Sequence, residues 1–358
     1  MGLDLTALTA LNPKESTEFQ QFIVEKTYAS PEIKALHNFV SGVTMRQQLI
    51  LASKLGKTGL KADGCTRKSS GAKSILTEKF YEPQPIEDTI ELCKTELDSL
   101  FKAVFDKIQA YKDKFEIEGT DEEVFLTLLL ENALRERLPQ IVWLADADVS
   151  AAEAAAEGVI EADDVLFYNY FNGFWKQIRA AVTAGKIPRV EITENGLATT
   201  ELQTALSDGF AVSLFEQMWK KADPRLRAET NAKMYVSGGI WENYRQYLQS
   251  KGENFSIDYT QEGFTVIKWN GRDVVNMEVI WDVPLQADFV ANTEDNTYIL
   301  PNRAVLTTPE NLHVATLNEN DFSELDTHYQ WKERLYNIAY GFTLDAVLAE
   351  EYMVVAAY

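Results

Sequence analysis

The dipeptide Asn270-Gly271 constrains the fold of the second half of this chain. It separates two runs rich in β-branched and aromatic residues, in the stretch FTVIKWNGRDVVNMEVIWD. Asn-Gly is the preferred centre of a two-residue hairpin turn, because both residues tolerate a positive φ. The stretch therefore predicts an antiparallel hairpin, and hence a β-sheet, in this half.

Helical spacing dominates the segments on either side of that hairpin. After residue 199 the pattern predicts a helix over 200–223, a strand over 232–237 and a helix over 238–252. The aromatic and β-branched tail predicts a last strand that runs to Tyr358 and pairs within a sheet. Together these elements predict the α+β class.

Two long helices are expected in the first half. Apolar residues on a single face predict a helix over 95–112, and a second helix is expected over 120–138. Thr120 and Glu123 form a capping box at the start of the second helix. Pro139 is expected to end or kink this helix.

An aromatic run, Phe167 to Trp175, could be mistaken for a sugar-binding platform. The pattern there predicts a short strand, a tight Asn172-Gly173 turn and a helix that ends at Gly185. We expect the aromatic side chains to pack in a core at this junction, which is the commoner use of such residues.

A basic arm, residues 51–81, contrasts with the rest of the chain. The protein has 34 basic and 55 acidic residues, and its formal net charge is -21. The arm is rich in Gly and Ser and has two acidic residues, Asp63 and Glu78, so seven minus two gives a net charge of +5. Its seven basic residues are Lys54, Lys57, Lys61, Arg67, Lys68, Lys73 and Lys79. Neutralising phosphates needs clustered Lys and Arg, and only this segment offers them, so the charge argues against generic binding of nucleic acid by the whole surface. A disordered surface loop is one interpretation of the arm.

The sequence offers no convincing catalytic motif. Gly56-Lys57-Thr58 matches the end of a phosphate-binding loop, but Leu51 occupies the position where the motif requires glycine. The chain has no GxSxG motif. Cys65 lies in the basic arm, where its thiol pKa could fall, but an incidental exposed thiol is the simpler interpretation.

Metal binding and cofactors are not expected either. The three histidines are far apart in sequence and form no HExxH motif, which favours surface or packed roles. The carboxylates of the acidic segment 146–164 do not follow the EF-hand spacing, so we interpret this segment as a solvated loop. These carboxylates are Asp146, Asp148, Glu161, Asp163 and Asp164.

Composition indicates a folded globular protein without a membrane segment. Hydrophobic residues make up 46% of the chain, and no run approaches the roughly 18 apolar residues that a bilayer-spanning helix needs. The first residues lack the basic and apolar regions of a signal peptide. With only two cysteines, we expect a reduced, intracellular assembly compartment.

The order of these elements, together with several stretches, resembles the major capsid proteins of tailed double-stranded DNA phages, which have the Hong Kong 97 capsid fold. The resemblance covers most of the chain and is greatest to capsid proteins of phages and prophages of gut-type Bacteroidetes. It rests on an ordered set of stretches rather than on any one motif. The stretches are FYNYFNGFWKQIRAAV, KMYVSGGIWENYRQYL, VIKWNGRDVVNMEVIW, LPNRAVLTTPENLHVAT and YGFTLDAVLAEEYMVVA.

The resemblance implies a division into the domains of that family. An N-terminal arm would take 1–45 and an extended loop, the E-loop, 46–90. A peripheral P-domain with a long spine helix would take 91–200 and 305–358. An axial A-domain would take 201–304 and line the centre of each hexamer or pentamer.

The resemblance also implies that the chain is a structural subunit of a virion capsid and not an enzyme. It would assemble in the host cytoplasm into an icosahedral shell that encloses DNA without sequence-specific contacts, and scaffolding, portal and decoration proteins would be further partners. The E-loop residues expected to contact a neighbouring subunit are Lys54, Lys57, Lys61, Arg67, Lys68 and Lys73. Some relatives crosslink a lysine to an asparagine, but no partner residue is identifiable here, and we predict no crosslink.

Three alternatives remain open at this point. The same fold would suit an encapsulin-like compartment shell, which would need a cargo enzyme. Another virion part, such as a tail or connector protein, is a second alternative. The third is an enzyme whose site is assembled from scattered acids such as Asp282, Asp288 and Glu324.

Overall fold

Strands outnumber helices in the part of the chain that the structure describes. The computed structural model describes residues 36–43, 46–52, 76–93, 137–148, 167–251, 258–259, 265–287, 290–292, 297–298, 300–317, 326–330 and 335–358. The strands are β1 (Asn38–Val40), β2 (Gln47–Ala52), β3 (Leu76–Tyr81), β4 (Gln84–Cys93), β5 (Arg189–Val190), β6 (Lys233–Val236), β7 (Asp258–Tyr259), β8 (Thr265–Trp269), β9 (Arg272–Asn276), β10 (Val290–Asn292), β11 (Thr297–Tyr298), β12 (Ala304–Thr307), β13 (Leu312–Ala315), β14 (Asp326–Gln330), β15 (Leu335–Leu348) and β16 (Val355–Ala357).

Helices occupy the same part of the chain in mostly short segments. They are α1 (137–144), α2 (Phe174–Thr183), α3 (Thr200–Thr204), α4 (Phe210–Lys221), α5 (Pro224–Ala228), α6 (Gly238–Ser250) and α7 (Val283–Ala287). A π-helical turn, Glu278–Asp282, leads directly into α7. The mixture of helices and largely antiparallel strands confirms the predicted α+β class.

A seven-stranded mixed sheet forms one of the two large sheets, in the order β5-β16-β12-β6-β9-β8-β7. Its β8–β9 hairpin confirms the prediction made from Asn270-Gly271, because these residues adopt φ angles of 48° and 76° and join paired strands. The expected last strand is also confirmed: β16 pairs antiparallel with β12 and parallel with β5.

A five-stranded sheet forms around the long strand β15. β13 and β14 pair with different parts of β15, β4 pairs with it from Leu335 to Leu344, and β1 pairs in parallel with β13. Pro83 lies between β3 and β4. β2 and β3 form a separate two-stranded sheet beside this one.

Two hydrophobic cores lie against these sheets. In one, the Trp281 ring meets Trp143 and Trp175 edge to face, with its centroid 5.0 and 5.1 Å from theirs. Tyr168, Phe171 and Phe174 join the same core, as predicted for the aromatic run, whereas Phe167 at the start of the run is 49% exposed. In the other core, the buried faces of α4 and α6 pack with buried residues of the seven-stranded sheet.

The helix predicted over 200–223 is wrong in one respect, because it is two helices, α3 and α4. Gly209 has φ 74° at the break. The side-chain amide of Asn243 in α6 stabilises the break between the two helices. Its Oδ1 accepts from the Ala211 N–H at 3.0 Å, and its Nδ2 donates to the Ser207 carbonyl at 2.8 Å. A tertiary contact from α6 therefore satisfies backbone groups that a continuous helix would pair internally.

The strand predicted before Asn172 is also wrong for residues 167–172. The Tyr168 carbonyl accepts from Asp146 at 2.9 Å, and Gly173 donates to the Ala145 carbonyl at 2.8 Å. These backbone groups thus pair with the segment after α1 instead of with a strand. The predicted helix end is confirmed, since α2 stops at Thr183 and Gly185 adopts φ 71°.

Pro139 does not end a helix, as residues 137–144 are helical through it. Leu138 and residues 141–145 are buried in the tryptophan core, and this packing outweighs the poor helical propensity of proline. The predicted helix 95–112, and 120–136 of the second, lie outside the described residues.

Candidate functional site

The candidate functional site is the base of the hairpin formed by β2 and β3. These strands pair antiparallel from Gln47↔Tyr81 to Ala52↔Leu76. The six predicted contact residues, Lys54, Lys57, Lys61, Arg67, Lys68 and Lys73, belong to the connection 53–75, which lies outside the described residues. The structure therefore shows the two strands that border this connection and how they are attached to the rest of the subunit.

An aromatic pair anchors the end of β3 to the five-stranded sheet. The Tyr81 hydroxyl lies 2.5 Å from Nδ1 of His313 in β13, and the two rings stack with centroids 5.9 Å apart. Burial lowers the pKa of His313, and nearby Lys79 lowers it further. The imidazole is therefore neutral at pH 7, and its Nδ1 can accept a hydrogen bond from the Tyr81 hydroxyl.

A lysine of the same strand makes the second anchor. Lys79 Nζ donates to the Leu348 carbonyl at 2.5 Å and pairs with Glu351 at 3.1 Å. Glu351 also lies 3.5 Å from Lys186, at the end of the loop that follows α2. Burial acts to raise the pKa of Glu351, but the charges of Lys79 and Lys186 outweigh it and hold that pKa below its ordinary value.

A buried carboxylate makes the third anchor, where β3 turns into β4. Asp345 of β15 accepts the Glu82 N–H through Oδ2 and the Ala346 N–H through Oδ1, both at 2.8 Å. Burial raises the pKa of Asp345 to about 6, against the opposing effect of these two hydrogen bonds. Outside it, Arg46 pairs with Glu82 at 2.7 Å and covers the Phe80 ring.

Apolar packing at this base is limited. Val43, Tyr81, Ala315 and Val347 form a small buried cluster, with Val40 and Leu49 against it. Further along β2, the side chain of Ile50 is 58% exposed. A two-stranded ribbon is marginally stable alone, so these anchors fix its direction while its outer part exposes apolar surface.

Of the scattered acids, only Asp282 lies within the described residues. Its Oδ2 accepts the Gly238 N–H at 2.7 Å, at the first turn of α6. Burial raises the pKa of Asp282 to about 7, and the charge of Glu278 adds to this. The perturbed pKa thus belongs to a buried helix cap, and no assembly with Asp288 or Glu324 is visible because both lie outside the described residues.

Three of the other residues weighed for chemistry have structural partners, whereas Cys65, Glu161, Asp163 and Asp164 lie outside the described residues. His37 is packed in the core, where it accepts from Trp143 Nε1 at 3.0 Å. Asp146 and Asp148 pair with Lys176 at 2.8 and 3.1 Å. Across the described ranges, no group of three or more His, Cys, Asp or Glu side chains is arranged to hold a metal ion. No described helix combines the length and apolar character needed to cross a bilayer.

Sequence reasoning missed most of this base. Lys79 stands out only as one basic residue of the arm, and His313 as one of three histidines. Tyr81, Asp345 and Glu351 carry no sequence signal, because each finds its partner through strand pairing over hundreds of positions.

Comparisons with known proteins identify the architecture. No family model and no curated protein matches the sequence. A chain of the satellite phage P4 procapsid, in a structure that includes the size determination (Sid) protein, is similar with a TM-score of 0.54 and 12% identity over 94% of this chain and 98% of that chain. The protein has the Hong Kong 97 capsid fold.

A second solved structure supports this Hong Kong 97 fold. It is the capsid of a native GTA particle, with a TM-score of 0.51 and 10% identity over 92% of this chain and 89% of that chain. At such low identity the likeness establishes the fold alone.

Proposed function

We propose that the chain is the structural subunit of a phage capsid, which self-assembles into hexamers and pentamers of an icosahedral shell around a DNA genome. The observation that carries this proposal is the shared fold, which extends over 94% of this chain and 98% of the P4 procapsid chain. The protein acts by assembling and not as an enzyme.

The basic arm gives this assembly a physical driving force. We assign it to an E-loop, residues 46–90, that lies across a neighbouring subunit, with Lys54, Lys57, Lys61, Arg67, Lys68 and Lys73 against an acidic surface. A segment of charge +5 on a chain of charge -21 is attracted to an acidic surface of the next copy. The three anchors of the hairpin base support this role, because they fix the strands on either side of the connection 53–75 to the body of the subunit.

We also retain the domain assignment as part of the proposal. It gives 1–45 to the N-terminal arm, 91–200 and 305–358 to the P-domain, and 201–304 to the A-domain. Helices α4 and α6 and strands β6 to β9 lie within the proposed A-domain. The seven-stranded sheet also takes in β5 and β16, so the proposed A- and P-domains would share a continuous sheet.

We propose a virion capsid location, with assembly in the host cytoplasm. Scaffolding, portal and decoration proteins would be partners, DNA would be enclosed without sequence-specific contact, and no cofactor would be needed. Origin from a phage or prophage of gut-type Bacteroidetes rests on the resemblance of the quoted stretches.

Electron microscopy tests the proposal directly. The purified chain would be examined by negative stain, with size-exclusion chromatography beside it. We expect closed shells, or free hexamers and pentamers. A chain that remains monomeric in all buffers, with and without its co-expressed neighbouring genes, would contradict a shell function. Shells that contain an enzyme instead of DNA would favour the encapsulin-like alternative, and rings or tubes would favour a tail or connector protein.

A further inference from the structure

We propose that a second basic surface, distinct from the arm, binds an acidic surface of a second copy of this chain. This inference rests on the proposed shell function. The basic surface consists of Lys220 and Lys221 at the end of α4, Arg225 and Arg227 of α5, and Arg272 after the β8–β9 turn. It lies in the proposed A-domain, far from the arm in sequence.

The charge of this surface is opposite to that of the chain. Residues 220–227 contain four basic and one acidic side chain, a net charge of +3 by four minus one, in a protein of net charge -21. Lys220, Lys221, Arg225 and Arg227 are all exposed. The acidic member, Asp223, is engaged by Arg225, whose Nε and Nη2 lie 3.0 and 3.1 Å from its oxygens. Lys220 pairs with Glu216 at 3.7 Å, and Lys221 donates to the Arg189 carbonyl at 2.6 Å. Among the described residues, the Arg227 guanidinium forms no ion pair.

The surface is held in place before any partner arrives. Arg272 lies over the Trp219 ring at 4.2 Å and donates to the carbonyls of Arg227 and Glu229 at 2.7 and 3.1 Å. The Arg225 guanidinium lies 3.6 Å above the Tyr352 ring. Side chains that are already ordered lose little entropy on binding, and arginine beside tryptophan or tyrosine is typical of protein interfaces.

The position of the surface favours a second copy as its partner. The Arg225 guanidinium lies over the ring of Tyr352. The residue before Tyr352, Glu351, pairs with Lys79 of the hairpin base. The basic surface is therefore continuous with the part of the molecule from which the proposed E-loop reaches a neighbour. Identical copies of charge -21 repel one another, and a positive patch at their contact offsets this repulsion and fixes the register.

Charge reversal tests this inference. The variant Lys220→Glu, Lys221→Glu, Arg227→Glu keeps Arg225 and Arg272, which lie on the Tyr352 and Trp219 rings. It removes the Lys220–Glu216 pair and the hydrogen bond from Lys221 to the Arg189 carbonyl, so assembly is compared at a temperature at which circular dichroism shows the variant and wild type both fully folded. We expect the fraction of chain in shells or capsomers to fall by at least about tenfold at low salt, because like charges would face each other. Salt at about 0.5 M should restore part of the assembly by screening this repulsion.

The matched control carries the same change in net charge at another place. Arg179→Glu, Lys251→Glu, Lys268→Glu alters three exposed basic residues, none of which forms an ion pair with a described residue. We expect this control to assemble within about twofold of wild type, since distant exposed charges are largely screened. Equal loss of assembly in both variants would show a general charge effect and overturn the inference.

Two further outcomes would overturn it in different ways. If the reversed variant assembles like wild type but its shells retain less DNA, the surface serves nucleic acid and not a second copy. If both assembly and DNA content are unchanged, the surface has no such role, while the shell function stands because wild type assembles. A wild-type chain that never assembles contradicts the shell function, and this inference with it.

Discussion

The Tyr81 hydroxyl lies 2.5 Å from Nδ1 of His313, and this contact joins residues 232 positions apart in the chain. Tyr81 ends the second strand of the hairpin, and His313 lies in the five-stranded sheet. Together with Lys79 and Asp345, this pair fixes where the hairpin leaves the body of the subunit.

Replacing Tyr81 with phenylalanine tests the value of that contact. The change keeps the ring in the small apolar cluster but leaves Nδ1 of the half-buried His313 without its donor. We expect the free energy of unfolding to fall by about 1–3 kcal/mol, measured by urea denaturation. Tyr247→Phe is the control, because the Tyr247 hydroxyl has no hydrogen bond among the described residues, and its stability should stay within about 0.5 kcal/mol. Equal effects of the two changes would contradict the anchoring role.

The buried carboxylate of Asp345 predicts an unusual pH dependence. Its pKa is about 6 in the folded protein and near the ordinary 3.8 in the unfolded chain. Between these values the folded state binds more protons than the unfolded state, so the contribution of Asp345 to stability rises as pH falls from about 7 to 4. Relative to Asp345→Asn, wild type should gain about 1–3 kcal/mol over this range. A difference that is constant with pH would contradict the raised pKa.

Gly173 allows a close approach that no other residue can make. A Cβ atom there would lie 2.9 Å from Ala145 N and Val142 O, both backbone atoms that cannot turn aside. We expect Gly173→Ala to destabilise the protein by about 1–3 kcal/mol or more, measured by thermal unfolding. Gly196→Ala is the matched control, since nothing lies within 4 Å of the added Cβ, and it should be nearly neutral. Similar melting temperatures for the two variants would count against this packing.

Reversal of Lys54, Lys57 and Lys61 to glutamate tests the basic arm. We expect a folded subunit with normal circular dichroism that assembles poorly, because the arm would meet an acidic neighbour with the wrong charge. The control is again Arg179→Glu, Lys251→Glu, Lys268→Glu, which keeps the same net charge. Shells formed in normal yield by the arm variant would contradict its proposed role.

Local patterns in the sequence determined several of the helices, strands and turns of this protein. The Asn270-Gly271 hairpin, the strand at 233–236, helix α6 and the end of α2 follow from turn residues and periodicity, which act over a few positions. The α+β class follows from the same signals. The ordered set of stretches also led to the Hong Kong 97 capsid fold, and the charge contrast singled out the basic arm.

Tertiary contacts decided the rest. The helix expected over 200–223 is broken because Asn243, far along the chain, binds the backbone at the break. The hairpin base depends on strand pairing that brings Tyr81 to His313 and Glu82 to Asp345. Periodicity and turn propensity are local. These contacts instead depend on the register of strand pairs, which is set by burying apolar side chains from many distant segments in one core. The sequence by itself therefore determined the helices and strands that local turn and periodicity signals specify, and the position of the positive charge along the chain. The tertiary structure decided where helices break and which side chains attach the hairpin base.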